Sequence, residues 1–263
     1  MKKILRTDYV DSYWDQRWRS AGVDRDAFKN LNIYPVKYSE QIAQESTRIL
    51  EAGCGTGRLY FHYRNQGKDI EGIEYSHVAV DLIKKLDPGA DVIQGSITEL
   101  PYEDDRFDAV LAFGLYHSIE DEKAIQKAFL ETARVLKEGG KLVFSVRLDN
   151  LENRLLENIV RRRSKGKTFD QFHKWQFSEK DIDKLLKDAG MTLEKAFYAR
   201  NVSFLFKFDC FRSKHLKKNA FDEAQARSGG FKLNKAGAVL DRILHSCFPR
   251  KFSNVIVVIA QKL

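Results

Sequence analysis

Glu51, Gly53, Gly55 and Gly57 fall together in the run Ile49-Leu50-Glu51-Ala52-Gly53-Cys54-Gly55-Thr56-Gly57-Arg58. An apolar stretch reaches a carboxylate, glycines follow at every second position, and an amphipathic segment starts directly afterwards. That order reads as strand, tight turn, helix. Glycines at such a turn allow positive φ and let a ligand approach a backbone that carries no Cβ. The chemistry on offer is therefore close binding of a ligand at a strand end. A dinucleotide turn follows GxGxxG, with its third glycine three positions after the second. Here Arg58 holds that position and Gly57 comes one residue early, which disfavours NAD or FAD.

Other residues with chemical potential stand at comparable places. Glu74 closes the run Asp69-Ile70-Glu71-Gly72-Ile73-Glu74, and His117 lies in the turn Gly114-Leu115-Tyr116-His117-Ser118. A histidine titrates near neutrality and suits general-base work, although a lone histidine is more often structural. Tyr116 is a candidate for shaping an acceptor site. Arg147, Arg161, Arg162, Arg163, Arg200 and Arg212 offer the guanidinium fork that suits carboxylate or phosphate. His173, Trp175, Phe204 and Phe208 are candidates for lining a pocket. Six histidines and three scattered cysteines (Cys54, Cys210 and Cys247) make no zinc-ligand spacing and no disulfide framework.

These residues need elements to carry them. Strands are expected at 49–52, 69–74, 90–94, 106–113 and 141–146, with helices at 58–65, 77–86 and 119–136 between them. Ser76 is placed to cap the second helix, Asp87-Pro88-Gly89 to end it, and Lys137-Glu138-Gly139-Gly140 to stop the third. Strands alternating with helices imply βαβ units and a largely parallel sheet, in which ligands bind outside the carboxyl ends of the strands. The glycine turn, Glu74, Ser96 and the 114–118 turn all converge on that edge. Further helices are expected at 149–163 and 179–189, the latter capped by Ser178, and further strands at 191–199 and 254–260. A basic loop is expected at 161–167.

At the N-terminus, Tyr13-Trp14-Asp15-Gln16-Arg17-Trp18 suggests an amphipathic helix, and Tyr34-Pro35 breaks the pattern before a second short one at 36–43. Residues 1–45 are accordingly expected to form a helical lid, or to be plain packing. Residues 46–263 form the main domain, with insertions at 149–177 and 200–252. The latter is far too long for a hairpin connection of about 2–5 residues, so it is expected to hold at least two helices as a cap.

The chain has 263 residues, is 43% hydrophobic and carries a formal net charge of +8. The charge favours an anionic partner, or serves solubility alone. No apolar h-region follows Lys2-Lys3, and no run of about 20 apolar residues occurs, so a cytoplasmic, soluble or peripheral protein is expected.

Glu51, Gly53, Gly55 and Gly57 fill the pattern E/D-x-G-x-G-x-G, which resembles motif I of the class I S-adenosylmethionine-dependent methyltransferases, the broad group that contains quinone and metabolite methyltransferases. The resemblance spans residues 48–146 well and the last two strands loosely. It implies a Rossmann-like α/β fold: a seven-stranded, mostly parallel sheet with an antiparallel last strand and helices on both faces. It implies S-adenosyl-L-methionine as cofactor and S-adenosyl-L-homocysteine as product. By it, Glu74 accepts the ribose hydroxyls, Glu51 fixes the methionine ammonium, and Gly53 to Gly57 let the amino-acid tail pass. Ser96 and Ile97 lie near the adenine, where the family often has an acid that this chain lacks. Cys54, Arg58, Tyr75, Phe113 and Tyr13 complete the expected donor site.

In-line methyl transfer needs mainly alignment, which accounts for about 7–11 kcal/mol of barrier. A base, with His117 the candidate, is needed only for a poor nucleophile. The expected acceptor is a small molecule, such as a sugar, an isoprenoid or a phosphorylated metabolite, with an anionic one favoured by the arginines. An RNA or DNA methyltransferase is the alternative, motivated by the positive charge. Against it, Phe113-Gly114-Leu115-Tyr116 lacks the Asn/Asp-Pro-Pro-Tyr/Phe of base-amine methyltransferases, and no RNA-binding module is visible. A non-catalytic S-adenosylmethionine-binding protein is the third reading.

Overall fold

The computed structural model describes residues 1–6, 10–21, 31–163, 172–213 and 232–263. Strands β2 (Arg48–Ala52), β3 (Asp69–Glu74), β4 (Val92–Gln94), β5 (Phe107–Phe113), β6 (Leu136–Arg147), β8 (Met191–Ala199) and β9 (Val255–Lys262) form one seven-stranded sheet in the order β4-β3-β2-β5-β6-β9-β8. β9 runs antiparallel to both neighbours, and the other adjacent pairs are parallel. A separate antiparallel pair joins β1 (Lys2–Arg6) to β7 (Phe172–Gln176).

Side-chain alternation along these strands builds two cores. Ile49, Leu111, Val143 and Val257 face one side, and Leu50, Val110, Ala112, Phe144 and Val258 face the other. Because successive residues point to opposite faces, a strand buried on both sides must be apolar throughout, as 109–112 is. Helices α1 (Val10–Ala21), α2 (Tyr34–Glu45), α3 (Arg58–Arg64), α4 (His77–Leu86), α5 (Glu122–Val135), α6 (Leu151–Arg163), α7 (Glu179–Asp188), α8 (Lys235–Cys247) and α9 (Pro249–Phe252) complete the described elements, with short 3-10 turns at Tyr116–Ser118, Phe204–Lys207 and Asp209–Phe211.

Several expected boundaries move for local reasons. Pro35 does not interrupt α2 but sits in its first turn, where its missing N–H costs nothing. α5 starts at Glu122 because Asp121 caps it, accepting from the Ala124 N–H at 2.8 Å, and 116–118 tightens into a 3-10 turn instead. Ser76 caps α4 as expected, and Ser178 forms a reciprocal capping box with Asp181. The third strand of the alternating series begins at Val92 instead of residue 90.

The β1–β7 pair was not anticipated. Residues 1–45 were expected to be helical, yet Lys2–Arg6 is a strand, and residues 172–176 of the expected insertion are its partner. This small sheet is fastened over the ends of β5 and β6. Trp175 is buried and its indole N–H donates to the Ile119 carbonyl at 2.8 Å, and the Phe177 N–H donates to the Arg147 carbonyl at 2.8 Å. A second fastening holds residues 200–202, which follow β8. Arg200 pairs with the fully buried Glu152 at 2.9 Å and with Asp241, while Asn254 accepts from the Asn201 N–H and donates to the Val202 carbonyl. The basic loop expected at 161–167 falls on α6 up to residue 163; its other residues, 164–167, lie outside the described ones.

Trp175→Phe removes the indole donor to the Ile119 carbonyl and part of a buried ring. A loss of about 2–4 kcal/mol is expected, read as a lower midpoint in urea unfolding.

Candidate functional site

Strand order reverses between β2 and β5, and this is where the open crevice of a doubly wound sheet lies. The glycine turn leaves β2 there. Gly53 and Cys54 both donate their N–H groups to the Ile73 carbonyl, at 2.8 and 3.3 Å, which pins the turn to the end of β3. Gly55, at φ +56°, donates its N–H to Glu74 Oε2 at 2.8 Å, and Glu74 Oε1 accepts from the Ser76 N–H at 3.1 Å. A Cβ added at Gly55 would lie 3.0 Å from the Trp18 ring, so α1 seats its indole directly on the turn. Asp15, one turn earlier, accepts from the Ser76 hydroxyl and approaches His77 Nδ1 at 3.1 Å, and this ties α1 to the start of α4.

A cavity of about 610 Å³ opens beside this turn. Glu51, Gly53, Cys54, Gly55, Arg58, Glu74, Tyr75, Ser96, Ile97 and Phe113 all line it, so ten of the expected donor-site residues are brought together. Gly57 does not line it. It is the left-handed residue before α3, at φ +83°, packed against Phe61 and Ile83. The side chain of Tyr13 lies outside the described residues, as does that of His173.

Burial sets the electrostatics. Desolvation pushes the Glu51 carboxyl up to about 8, against a hydrogen bond from the Tyr60 backbone and with some help from the Glu74 charge. Its Oε2 is buried and has no hydrogen-bond partner among the described residues. Desolvation also raises Glu74, opposed by the Ser76 and Gly55 N–H groups, and holds the Cys54 thiol well above its usual range. Burial disfavours the charged form of this carboxylate, and a cation placed at its unpartnered oxygen would offset that cost.

The acceptor-side expectations need correction. Tyr116 does not reach the cavity: it is fully buried, stacks on Phe129 at 4.2 Å and shares a 2.8 Å hydrogen bond with Thr132. The 3-10 turn also draws His117 inward. It is buried, is not among the described cavity-lining residues, and is held well below its usual pKa by desolvation and then by the charges of Arg147 and Lys174. Ser118, the next residue, lines the cavity instead, with its buried hydroxyl unpartnered among the described residues.

Of the arginines, Arg147 lines the cavity. Arg200 is committed to Glu152 and Asp241, and Arg212 to Asp209 and the Phe206 carbonyl. Phe204 and Phe208 pack against Phe252 and Phe211, and Trp175 against the core. The side chains of Arg161 to Arg163 lie outside the described residues. Lining residues without a local signal in the sequence include Lys174 and Asn201, which long connections deliver. Among the described residues no cluster could hold a metal ion, and no helix is long and apolar enough to cross a membrane.

Residues 50–144 match the family model described as a methyltransferase domain. A demethylmenaquinone methyltransferase of Renibacterium salmoninarum is 38% identical over 97 residues, 36% of this chain and 39% of that protein. The chain thus spans about two fifths of the length of that curated relative. An S-adenosylmethionine-dependent methyltransferase structure from Methanosarcina mazei superposes with a TM-score of 0.58 at 19% identity, covering 88% of this chain and 98% of that one. The family-model match makes residues 50–144 a methyltransferase domain, and over the whole chain the likeness to solved structures is one of fold, that of the class I S-adenosylmethionine-dependent methyltransferase family. A magnesium protoporphyrin IX methyltransferase from Synechocystis with bound S-adenosylhomocysteine shares the fold at a TM-score of 0.57 and 14% identity, covering 97% and 98% of the two chains. S-adenosylmethionine is the cofactor of the family, and the orphaned Glu51 oxygen and the glycine cradle fit such a group.

Two outcomes follow for the ligand-free protein. The native state holds a proton on Glu51 that the unfolded chain releases near 4.5, so this contribution to stability is full below about pH 4.5 and is lost as pH rises through about 8. Thermal melts of the ligand-free protein should therefore decline over that window by less in Glu51→Gln than in wild type. Tyr116→Phe should lower stability by about 1 kcal/mol in urea unfolding, because Thr132 keeps its bond to the Ala128 carbonyl, and should leave binding at the cavity unchanged.

Proposed function

We propose that this protein is an S-adenosylmethionine-dependent methyltransferase acting on a small molecule. The observation that carries the reading is the convergence of the glycine turn, the unpartnered Glu51 oxygen and Glu74 on one cavity at the point where strand order reverses.

In this reading Glu51 Oε2 holds the ammonium of the donor's methionine end. Glu74, already anchored by two backbone N–H groups, turns its remaining lone pairs to the ribose hydroxyls. Ser96 and Ile97, beyond β4, flank the base, and Gly53 and Gly55 leave room for the chain between. When bound, S-adenosylmethionine supplies a methyl carbon on a sulfonium: the acceptor's electron pair forms the new bond, the C–S pair returns to sulfur, and the acceptor's proton leaves to solvent. Residues 1–45, with Trp18 on the turn, act as the lid, and 200–252 as the cap that brings Asn201 and Val202 to the cavity wall. The protein's part is alignment and exclusion of water, worth about 7–11 kcal/mol. The free Cys54, Cys210 and Cys247 suit a reducing, cytoplasmic setting.

Several features support a small acceptor. The cavity's volume, closed on one side by an aromatic helix, is that of a small-molecule site. The relative named for demethylmenaquinone raises a quinone-like ring as one acceptor class.

Calorimetry with S-adenosylhomocysteine should show one-to-one binding that Glu74→Gln weakens at least tenfold, about 1.4 kcal/mol. Circular dichroism should report a folded variant. Labelled methyl from the donor should then appear in a pool of small metabolites and not in RNA. Unchanged affinity in the variant would refute the site assignment, and label in RNA alone would refute the acceptor class.

A further inference from the structure

The cavity is asymmetric. The acids and glycines assigned to the donor lie on β2, β3 and the turn after β2, and Ser96 and Ile97 follow β4, whereas Arg147 ends β6 and Lys174 sits on β7. β3 and β6 are three strand spacings apart in the sheet, about 14 Å. Arg147 and Lys174 therefore occupy the end of the cavity remote from Glu74. Their arrival there depends on two separate elements. The Phe177 N–H bond to the Arg147 carbonyl and the Trp175 bond to Ile119 lay β7 across the end of β6.

We propose that Arg147, Lys174 and Ser118 form an anion subsite that receives a carboxylate or phosphate group of the methyl acceptor, which deepens and rests on the methyl-transfer reading above. A guanidinium fork, an ammonium and a hydroxyl able to donate all line this cavity, and together they are the donor set that suits an oxyanion. Two observations support the placement independently of the lining itself. The Ser118 hydroxyl is buried and without a partner among the described residues, a costly state that a bound acceptor oxygen relieves. The neighbouring His117 ring is disfavoured as a cation first by burial and then by Arg147 and Lys174, so both positive charges act on this turn.

Among the described residues three carboxylates line the cavity. Glu120 is exposed at the wall of the cavity, and Glu51 and Glu74 are buried on the donor side, with desolvation raising both. Arg17 and Arg58 also line the cavity, on the lid and at the start of α3, and add to its positive character. An anion at the far end leaves the acceptor's nucleophile directed back toward the methyl group, with the charged group serving as handle. The same oxyanion chemistry has a second source, the carboxylate of the donor's own methionine end, and the test separates the two.

Pyrophosphate and succinate are titrated by calorimetry into the protein saturated with S-adenosylhomocysteine, for wild type, Ser118→Ala, and the Arg147→Gln/Lys174→Met double variant. S-adenosylhomocysteine binding is measured for each alone. The expected result is one-to-one binding of at least one anion to the wild-type complex, weakened several-fold by Ser118→Ala and at least 30-fold by the double variant, with S-adenosylhomocysteine affinity within threefold throughout. Which anion binds distinguishes phosphate from carboxylate handles. No anion binding to a complex that does form overturns the proposal and leaves the methyl-transfer reading standing. A parallel loss of S-adenosylhomocysteine affinity in the double variant also overturns it, assigning the cations to the donor. Failure of wild type to bind S-adenosylhomocysteine at all overturns both readings.

Discussion

The carboxylate of Glu74 joins two stretches of backbone that are otherwise separate: it accepts the Gly55 N–H from the turn after β2 and the Ser76 N–H at the start of α4. Three glycines in positive-φ conformations would form a loose loop on their own, because glycine loses more conformational freedom on ordering than any other residue. Here the turn is held at its base by the Ile73 carbonyl and at its apex by Glu74. Ser76 extends the linkage, capping α4 and contacting Asp15 of α1. Burying a carboxylate is costly, and the two N–H donors offset part of that cost without removing it, which is why the group remains harder to ionise than usual.

A second set of fastenings governs the opposite side of the crevice. β9 lies antiparallel between β6 and β8, and the cap enters through Asn201 and Val202, both tied to Asn254 just before β9. The buried Glu152–Arg200 pair fixes the segment from the other direction, with burial lifting Glu152 to about 7 in spite of its partner. These polar contacts secure a region that has few regular backbone ladders to hold it.

The two halves of the cavity also differ in how they compare with known proteins. The family match ends at residue 144, before Arg147 and Lys174, while the donor-side residues from 51 to 113 fall inside it. A shared donor imposes one set of contacts, whereas acceptors of different shape and charge require different walls. Here α1, Lys174 of β7 and the Asn201–Val202 segment line the cavity from outside that match.

Local pattern made much of the fold legible. The period-two strands, the capping serines at 76 and 178 and the glycine turn depend on neighbours within a few residues, and β3, α4 and β8 stand where the pattern placed them. Ten of the residues expected at the donor site come to one cavity for the same reason, since parallel strands bring their carboxyl ends to one edge. What the chain did not disclose locally was the direction of side chains in a turn. Tyr116, His117 and Ser118 are consecutive, and a 3-10 turn sends the tyrosine into the core, buries the histidine and gives the serine to the cavity. Nor did it disclose β1–β7, whose strands are some 170 residues apart and pair through backbone groups that carry no sequence signature. By itself the sequence determined the sheet, the glycine turn and its acids, because those rest on local backbone preference and alternation. Only the tertiary structure decided which cations reach the cavity, because Arg200 and Arg212 find carboxylates or carbonyls elsewhere while the β1–β7 pair carries Lys174 to Arg147.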